Sequence, residues 1–122
     1  MTIHEAVNAA LTPALANTWA TELPPNPTWP AAVFEIDSAP EPGWAAGGAG
    51  AYSQHEVNVV VLAATVEALD ALLPADGAGP IRAALEAMDA YMFEEDSGDA
   101  DYEGDAQVYA RFVTVRLRTS RL

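Results

Sequence analysis

The stretch HEVNVVVLAAT, residues 55–65, decides the fold that this sequence predicts. In its first half apolar and polar residues alternate, with Val57, Val59 and Val61 on one side, which is typical of a strand with one buried face. Towards its end the stretch becomes wholly apolar, as strands in the middle of a sheet often are. We therefore expect a strand from about Ser53 to Ala64 whose end lies centrally in a sheet.

The chain begins with a predicted helix. Thr2 and Glu5 have the spacing of a capping box, and an apolar stripe with helical spacing runs behind them over residues 3–19. Pro13 lies inside this stripe and should kink the helix or split it in two, because proline removes a backbone donor and clashes with the preceding turn.

Between this helix and the central strand the sequence predicts a loop, a strand and a long connection. TELPPNPTWP, residues 21–30, is too rich in proline for regular structure. AAVFEID, residues 31–37, reads as a strand with Phe34 on one face and Val33 on the other. The glycine-rich segment 38–52 is expected to be a flexible connection.

The segments after the central strand complete an α+β domain. They are a short helix capped by Thr65, a break over residues 74–80, a helix opened by Pro80, a strand at residues 91–95 and a long strand at residues 108–119. The order predicts one domain over residues 1–122. Its mostly antiparallel four-stranded sheet would pack with an N-terminal helix and with a broken helix between strands 2 and 3.

Charge is the strongest feature of the composition. Eighteen acidic residues face five arginines and no lysine, giving a formal net charge of −13. Such a surface repels nucleic acid and anionic lipid, which argues against a DNA-binding protein that grips phosphates. Residues 1–105 carry a balance of −17 and residues 106–122 a balance of +4, which suggests ion pairs within the chain or between copies.

Other features of the sequence bear on the cellular compartment in which the protein is made. The absence of cysteine excludes disulfides and thiolate chemistry. No apolar run reaches the roughly 18 residues that cross a bilayer, and the N-terminus lacks the basic lead of a secretory signal. These features predict a soluble protein made in a cytoplasm.

The stretch EEDSGDADYEGD, residues 94–105, packs seven carboxylates into twelve positions. Asp99, Asp101 and Glu103 match the first ligand positions of a calcium-binding loop. The twelfth position, however, is Ala110 instead of glutamate, and the flanking segments are strand-like. We therefore expect a solvated connection between strands, with room for a partner-facing role, and no metal site. A calcium loop and a two-carboxylate hydrolase are the alternatives.

Other catalytic chemistry is sparse. His4 is expected to be exposed in the first turn of the helix. His55 and Glu56 should point to opposite faces of a strand and so form no dyad. The serines lie in no nucleophile-elbow motif, and the glycine-rich segment is not followed by the lysine of a phosphate loop. The sequence thus predicts neither an enzyme nor a cofactor. Trp19, Trp29 and Trp44 are interpreted as core or loop anchors, with an interface role as the alternative.

The order of segments resembles the small tail-completion, or tail-terminator, proteins of long-tailed phages and phage-like gene transfer agents. Four segments carry the resemblance: ELPPNPTWPAAVFEIDSAPEP, AYSQHEVNVVVLAATVEALDAL, IRAALEAM and DADYEGDAQVYARFVTVRL. The matching positions are Pro30, Val33, Phe34, His55, Val57, Val59, Val61, Ile81, Arg82, Ala84, Leu85, Tyr109 and Arg111. Pro13 and the long glycine- and alanine-rich connection depart from a typical member.

The resemblance implies a virion structural protein without catalytic activity. Members look like α+β subunits that assemble, usually as hexameric rings, on the end of the tail tube. They stop its polymerisation and offer a surface to the head connector. The implied partners are further copies of the chain, the tail tube protein and the connector. DNA would pass through the lumen without specific binding, and the protein would be made in the bacterial host cytoplasm. The alternatives are another neck or head–tail joining protein, a tail-tube-like component, and a small acidic protein-binding module.

Candidate interface residues follow from the charge pattern and from strand alternation. Alternation puts Arg116 and Arg118 on an exposed face of the last strand, free for carboxylates of a neighbouring subunit, and Arg111 near the edge of the packed face. The full set of candidate interface residues is Arg111, Arg116, Arg118, Trp44, Asp99, Asp101 and Glu103.

Overall fold

The computed structural model describes residues 2–42, 49–100 and 108–121. Three helices and five strands follow one another along the chain. They are α1 (Ile3–Leu11), β1 (Thr18–Ala20), β2 (Ala31–Pro42), β3 (Ala49–Ala63), α2 (Val66–Leu72), α3 (Gly79–Glu86), β4 (Tyr91–Ala100) and β5 (Tyr109–Ser120). The α+β class predicted from the sequence is confirmed.

The sheet has five strands in the order β1-β2-β3-β5-β4, and β3 is its centre. The pairs β2–β3, β3–β5 and β4–β5 are antiparallel, whereas β1 runs parallel to β2. The predicted four-stranded sheet is therefore corrected to a five-stranded mixed sheet. The expected central position of the Val57–Val61 segment is confirmed.

The additional strand arises where the first helix was expected to continue. α1 ends at Leu11, directly before the Thr12-Pro13 turn, because proline has no N–H with which to extend the helix. The chain then turns and pairs residues 18–20 with residues 32–34 of β2. Trp19, predicted as the last residue of a helical stripe, instead lies in an edge strand.

The β2–β3 hairpin is longer than predicted. β2 continues to Pro42 and β3 starts at Ala49, so most of the expected 38–52 connection is paired strand. A side chain at Gly50 would place its Cβ 3.1 Å from the carbonyl oxygens of Glu41 and Pro42, which explains glycine at this close approach of two backbones.

Half of the acidic stretch is also strand. β4 was expected to end at residue 95 but extends to Ala100, pairing residues 94–100 with residues 110–115 of β5. The register shifts between Tyr91 and Phe93 and again between Glu94 and Asp96, as at a β-bulge. Residues 101–107, the rest of the stretch, lie outside the described residues.

α1 and α2 begin directly after the threonines that the sequence predicts as their caps, and α3 begins one residue before the predicted start at Pro80. The Thr2 and Thr65 hydroxyls accept hydrogen bonds from the N–H groups of Glu5 and Ala68, at 3.1 and 3.2 Å. α3 begins with Gly79 and Pro80. Gly79 has φ +67°, and a Cβ there would lie 2.4 Å from Pro74 Cδ, so only glycine fits this turn.

A single core lies between the helices and one face of the sheet. All three helices contribute to it, with residues such as Val7, Leu69 and Leu85 packed against Phe34 of β2. The strand residues in this core are Ala32, Phe34, Val57, Val59, Val61, Ala63, Val113, Val115 and Leu117. We call this side of the sheet the covered face. The opposite side, formed by the alternate residues of each strand, is called the open face, although one end of it is buried, where Ala31, Leu62 and Ala110 are 0%, 1% and 5% exposed.

Candidate functional site: the open face of the sheet

An apolar row crosses the open face from one edge of the sheet to the other. In register, Trp19 pairs with Val33, Val33 with Val60 and Val60 with Phe112, and Phe112 pairs with Gly98 of β4. Trp19 is 41% exposed, and the next three are partly exposed. Five strands thus present a continuous apolar line to their surroundings.

Polar rows follow the apolar row along the same face. The first row consists of Glu35, Asn58, Thr114 and Asp96. The second consists of Asp37, Glu56 and Arg116, with the apolar Phe93 at its end. The Thr114 hydroxyl donates to Asn58 Oδ1 at 2.9 Å, so the middle of the first row is neutral and internally bonded. Glu35 and Asp37 are exposed, and neither forms an ion pair with another described residue.

The two arginines of the open face each bind carboxylates of their own chain. Arg116 lies between Glu95 and Glu56, with N–O distances of 2.5 and 3.4 Å. Arg118 binds Glu41 with two nitrogens, at 2.7 and 3.1 Å. Paired geometry of this kind fixes the planar guanidinium group against the planar carboxylate.

Neighbouring residues complete the Arg118 cluster. Its guanidinium carbon lies 3.8 Å from the centre of the Tyr52 ring, a cation–π contact, and Gln54 donates to Glu41 at 3.1 Å. The hydrogen bonds from Arg118 and Gln54 lower the pKa of Glu41, and the same carboxylate raises the pKa of Arg118. Both groups are therefore held in their charged forms.

These contacts correct one part of the interface prediction. Arg116 and Arg118 lie on the face opposite the core, where alternation places them, but their guanidinium groups are not free. Arginine prefers the nearest carboxylates with matching geometry, and β2, β3 and β4 supply them within the chain. That these residues also contact another subunit stays a prediction.

Arg111 lies on the covered face and is only 8% exposed. Its guanidinium group donates to Asp99 of β4 at 2.9 Å, to Asp70 of α2 at 2.7 Å and to the Leu73 carbonyl at 2.9 Å. The hydrogen bonds that the guanidinium group donates to Asp70 and Asp99 raise its pKa. Arg111 lies near the edge of the packed face, as expected. Its hydrogen bonds connect β5 to β4 and α2 within the chain.

A cleft of about 580 Å³ adjoins these hydrogen bonds. Its walls come from α2, the end of β4 and the start of β5, and include Val66, Asp99, Tyr109 and Arg111. Val66 and Tyr109 are largely exposed at 43% and 52%. Because the Asp99 carboxylate and the Arg111 guanidinium group bind each other here, the cleft is close to neutral at its base.

The acidic candidate residues divide into two groups. Asp99 is placed in β4, where it binds Arg111 and so is not an open metal ligand. Asp101, Glu103 and Trp44 lie outside the described residues. Within residues 2–42, 49–100 and 108–121, no three or more histidine or acidic side chains are arranged to hold a metal ion.

Sequence reasoning missed a polar row on the covered face. His55 is 6% exposed, and its ring nitrogens lie 2.6 Å from the Ser38 hydroxyl and 2.8 Å from the Thr119 hydroxyl. Alternation from Val57 could have placed His55 on the buried side, but its partners come from two other strands. Burial, and secondarily the charge of His4, lowers the pKa of His55, which favours the neutral ring.

This row has the components of a hydroxyl–imidazole pair without a carboxylate behind the ring. In serine hydrolases the third group is an anion that stabilises the charged imidazole. Here Thr119 supplies a neutral hydroxyl in that place, so the row joins β2, β3 and β5 by hydrogen bonds. The absence of an enzyme site stays a prediction.

Comparison with known proteins adds no family assignment. No protein-family model matches the chain, and no curated protein is significantly similar to it. Among the residues that the structure describes, no helix has both the length and the apolar character needed to cross a membrane.

Proposed function

We propose that this chain is a tail-terminator, or tail-completion, protein of a phage or phage-like particle. It would form a ring, a hexamer by resemblance, that caps the tail tube and joins it to the head connector. Its partners would be further copies of itself, the tube protein and the connector. Its role would be structural and not catalytic, and it would be made in the host cytoplasm and end in the virion neck.

The open face carries this proposal. A subunit that buries one side of its sheet, and of the other side only the end with Ala31, Leu62 and Ala110, leaves the apolar row from Trp19 to Phe112 in contact with water. Continuous exposed apolar surface of this kind is typical of proteins that assemble with others. Such a face is consistent with a subunit that is completed by its neighbours in a particle.

The charge distribution supports the part of the proposal that concerns DNA. Each of the five arginines donates to a carboxylate or a carbonyl of the chain itself. Because engaged guanidinium groups are poor phosphate ligands and the net charge is −13, a lumen lined by this surface would repel the DNA backbone. A genome could then slide through without being held.

The test is assembly of the purified protein. Native mass spectrometry and negative-stain imaging over a range of concentrations, alone and with isolated tail tubes, should show closed rings, free or at tube ends. A monomer when dilute is compatible, because a terminator must not assemble before the tube does.

Two results would contradict the proposal. A strictly monomeric protein at high concentration that also leaves tube ends bare would exclude a terminator. Rings that form but never bind tube ends would indicate a different neck or head–tail joining protein.

A further inference from the structure

We infer that the open face is a docking surface for a basic and apolar segment of a different protein, and that it rejects the same face of a second copy. The inference goes beyond the proposed function, because it states which charge and polarity a partner of this surface must have. It does not depend on whether the chain is a tail terminator. Three observations carry it: the apolar row, the unbalanced carboxylates around it and the engagement of the arginines.

The apolar part of the surface spans all five strands. Trp19 lies at one edge, and Phe93, which is 50% exposed, lies towards the other. Glycine at position 98 leaves this side of the Phe112 ring uncovered. A side chain at this position would place its Cβ 3.4 Å from the ring. Large aromatic side chains that are partly exposed on a rigid sheet are the residues that most often dominate protein interfaces.

The charged part of the surface is strongly unbalanced. Its carboxylates are Glu35, Asp37, Glu41, Glu56, Glu95 and Asp96, and its cations are Arg116 and Arg118. Six carboxylates against two guanidinium groups leave four negative charges. Between them the two arginines bind three of these carboxylates, those of Glu41, Glu56 and Glu95. Glu35 and Asp37, both in β2, remain exposed next to the apolar row.

This imbalance selects the partner. A second copy that presents the same face would bring four negative charges against four, within the Debye length of about 8 Å at physiological salt. Like charges in an interface oppose association, whereas a lysine- or arginine-bearing segment would neutralise Glu35 and Asp37. The apolar row requires that the same segment carries aliphatic or aromatic residues between its charges.

The dimensions of the face suit a protein partner. Five strands about 4.8 Å apart make it roughly 19 Å wide. The paired length from Ala31 to Pro42 is about 36 Å at 3.3 Å per residue. The rectangle of roughly 700 Å² is an upper bound, because β1 has only three residues and the end of the face with Ala31, Leu62 and Ala110 is buried. The open part is therefore smaller than the roughly 800 Å² that each partner contributes to a standard interface, and it suits a short segment.

The experiment uses the whole chain and a synthetic peptide in which arginine alternates with leucine. Amide chemical shifts in heteronuclear NMR spectra report where the peptide binds, and their titration gives the affinity. We expect shifts on β2, β3 and β5 residues of the open face. A peptide with glutamate in place of arginine should not bind.

Matched charge variants separate docking from general attraction. The double variant Glu35→Gln/Asp37→Asn removes two charges from the open face, and Glu86→Gln/Asp89→Asn removes two exposed charges beside the helices. The first should weaken binding about fivefold or more, because it removes two exposed ion pairs, and the second should leave it within about twofold. Trp19→Thr, which removes the exposed indole, should weaken binding by about tenfold.

Three outcomes would overturn the inference. Equal weakening by both charge variants would mean that the peptide responds only to net charge. Shifts confined to the helices, or no shifts at all, would show that the open face does not dock such a segment. Self-association of the unmodified chain that Trp19→Thr abolishes would assign the face to a second copy. Circular dichroism of each variant establishes that it is folded.

Discussion

The two faces of the sheet use arginine in opposite ways. On the covered face Arg111 is 8% exposed and its guanidinium group binds two carboxylates and a carbonyl from α2 and β4. On the open face the Arg118 side chain is 42% exposed and binds a single carboxylate, that of Glu41. The chemistry of the pairs is alike. We infer that the contribution of such a pair to the free energy of unfolding depends on its exposure to solvent. It also depends on whether removal of the arginine leaves a buried acceptor unpaired.

The largest effect is expected from Arg111→Met. Methionine keeps much of the apolar stem but leaves the buried Leu73 carbonyl without its donor and releases α2 from β4. We expect the free energy of unfolding to fall by about 2–3 kcal/mol, the upper part of the roughly 1–3 kcal/mol usual for a buried polar group left without its partner. Urea unfolding of the parent and the variant measures this change in the free energy of unfolding.

The control for this change is Arg116→Met on the open face. An exposed pair is worth only about 0–1 kcal/mol, so this variant should stay within that range of the parent. If the two substitutions destabilise equally, the contrast between the faces is wrong.

A smaller loss is expected from Arg82→Met. Arg82 of α3 donates to Glu94 at 2.8 Å and to the Gly77 and Pro74 carbonyls, which holds the connection between α2 and α3. These carbonyls lie in a surface turn, where water can replace part of the lost bonding. We expect a loss of about 1–2 kcal/mol by urea unfolding, between those of Arg111→Met and Arg116→Met. A loss larger than that of Arg111→Met would show that the turn, and not the α2–β4 connection, is the more critical contact.

The third prediction concerns pH. The folded protein lowers the pKa of His55 below its ordinary value of 6.5, so the unfolded chain takes up the proton first. The contribution of neutral His55 is therefore complete above pH 6.5 and is lost as the pH falls from there towards the folded pKa. The slope from this single proton can reach no more than about 1.4 kcal/mol per pH unit.

The measurement is thermal or urea unfolding of the parent and His55→Gln between pH 8 and pH 5. The difference in stability between them should shrink as the pH falls, because only the parent carries the titrating ring. A constant difference would show that His55 contributes no proton-linked stability. His4→Gln removes the charge that secondarily lowers the pKa of His55, so this variant should lose slightly less stability than the parent as the pH falls.

Local chemistry made much of the covered face predictable. Alternation in residues 57–61 identified a central strand, and the hydroxyls of Thr2 and Thr65 marked the helix starts, because these signals act between residues a few positions apart. The break before Pro80 likewise followed from residue type. The patterns therefore predicted the elements whose cause is local.

β1 could not be predicted in this way. Three residues are too few to show alternation, and Leu15 and Trp19 continue the helical spacing of the preceding stripe by coincidence. What fixes residues 18–20 as a strand is hydrogen bonding to β2, together with Asn17, whose amide holds the carbonyls of Thr28 and Pro30. These partners lie more than ten positions away.

The acidic stretch was misjudged for a related reason. Seven carboxylates predict a solvated loop when only neighbours in sequence are considered. Glu94, Glu95 and Asp99 are instead neutralised by arginines that lie at least 12 positions away, and this permits a paired strand. The open face was missed because its rows become visible only once the register of all five strands is known.

The smallest effect on stability, and the sharpest test of the comparison, is expected from Arg118→Met. Glu41 keeps a lowered pKa chiefly because of its hydrogen bonds from Arg118, so its carboxyl should titrate at higher pH in the variant, closer to the ordinary value of 4.5. A lowered carboxyl pKa adds stability above the unfolded pKa and loses it as the pH falls, but on an exposed surface water and salt screen the effect. We therefore expect a clear upward shift of the Glu41 titration by NMR with a melting temperature that is unchanged within error at pH 7. A melting temperature that falls as far as in Arg111→Met would mean that the open-face pair stabilises the fold like the buried one. An unshifted Glu41 titration would mean that the pair does not persist in solution.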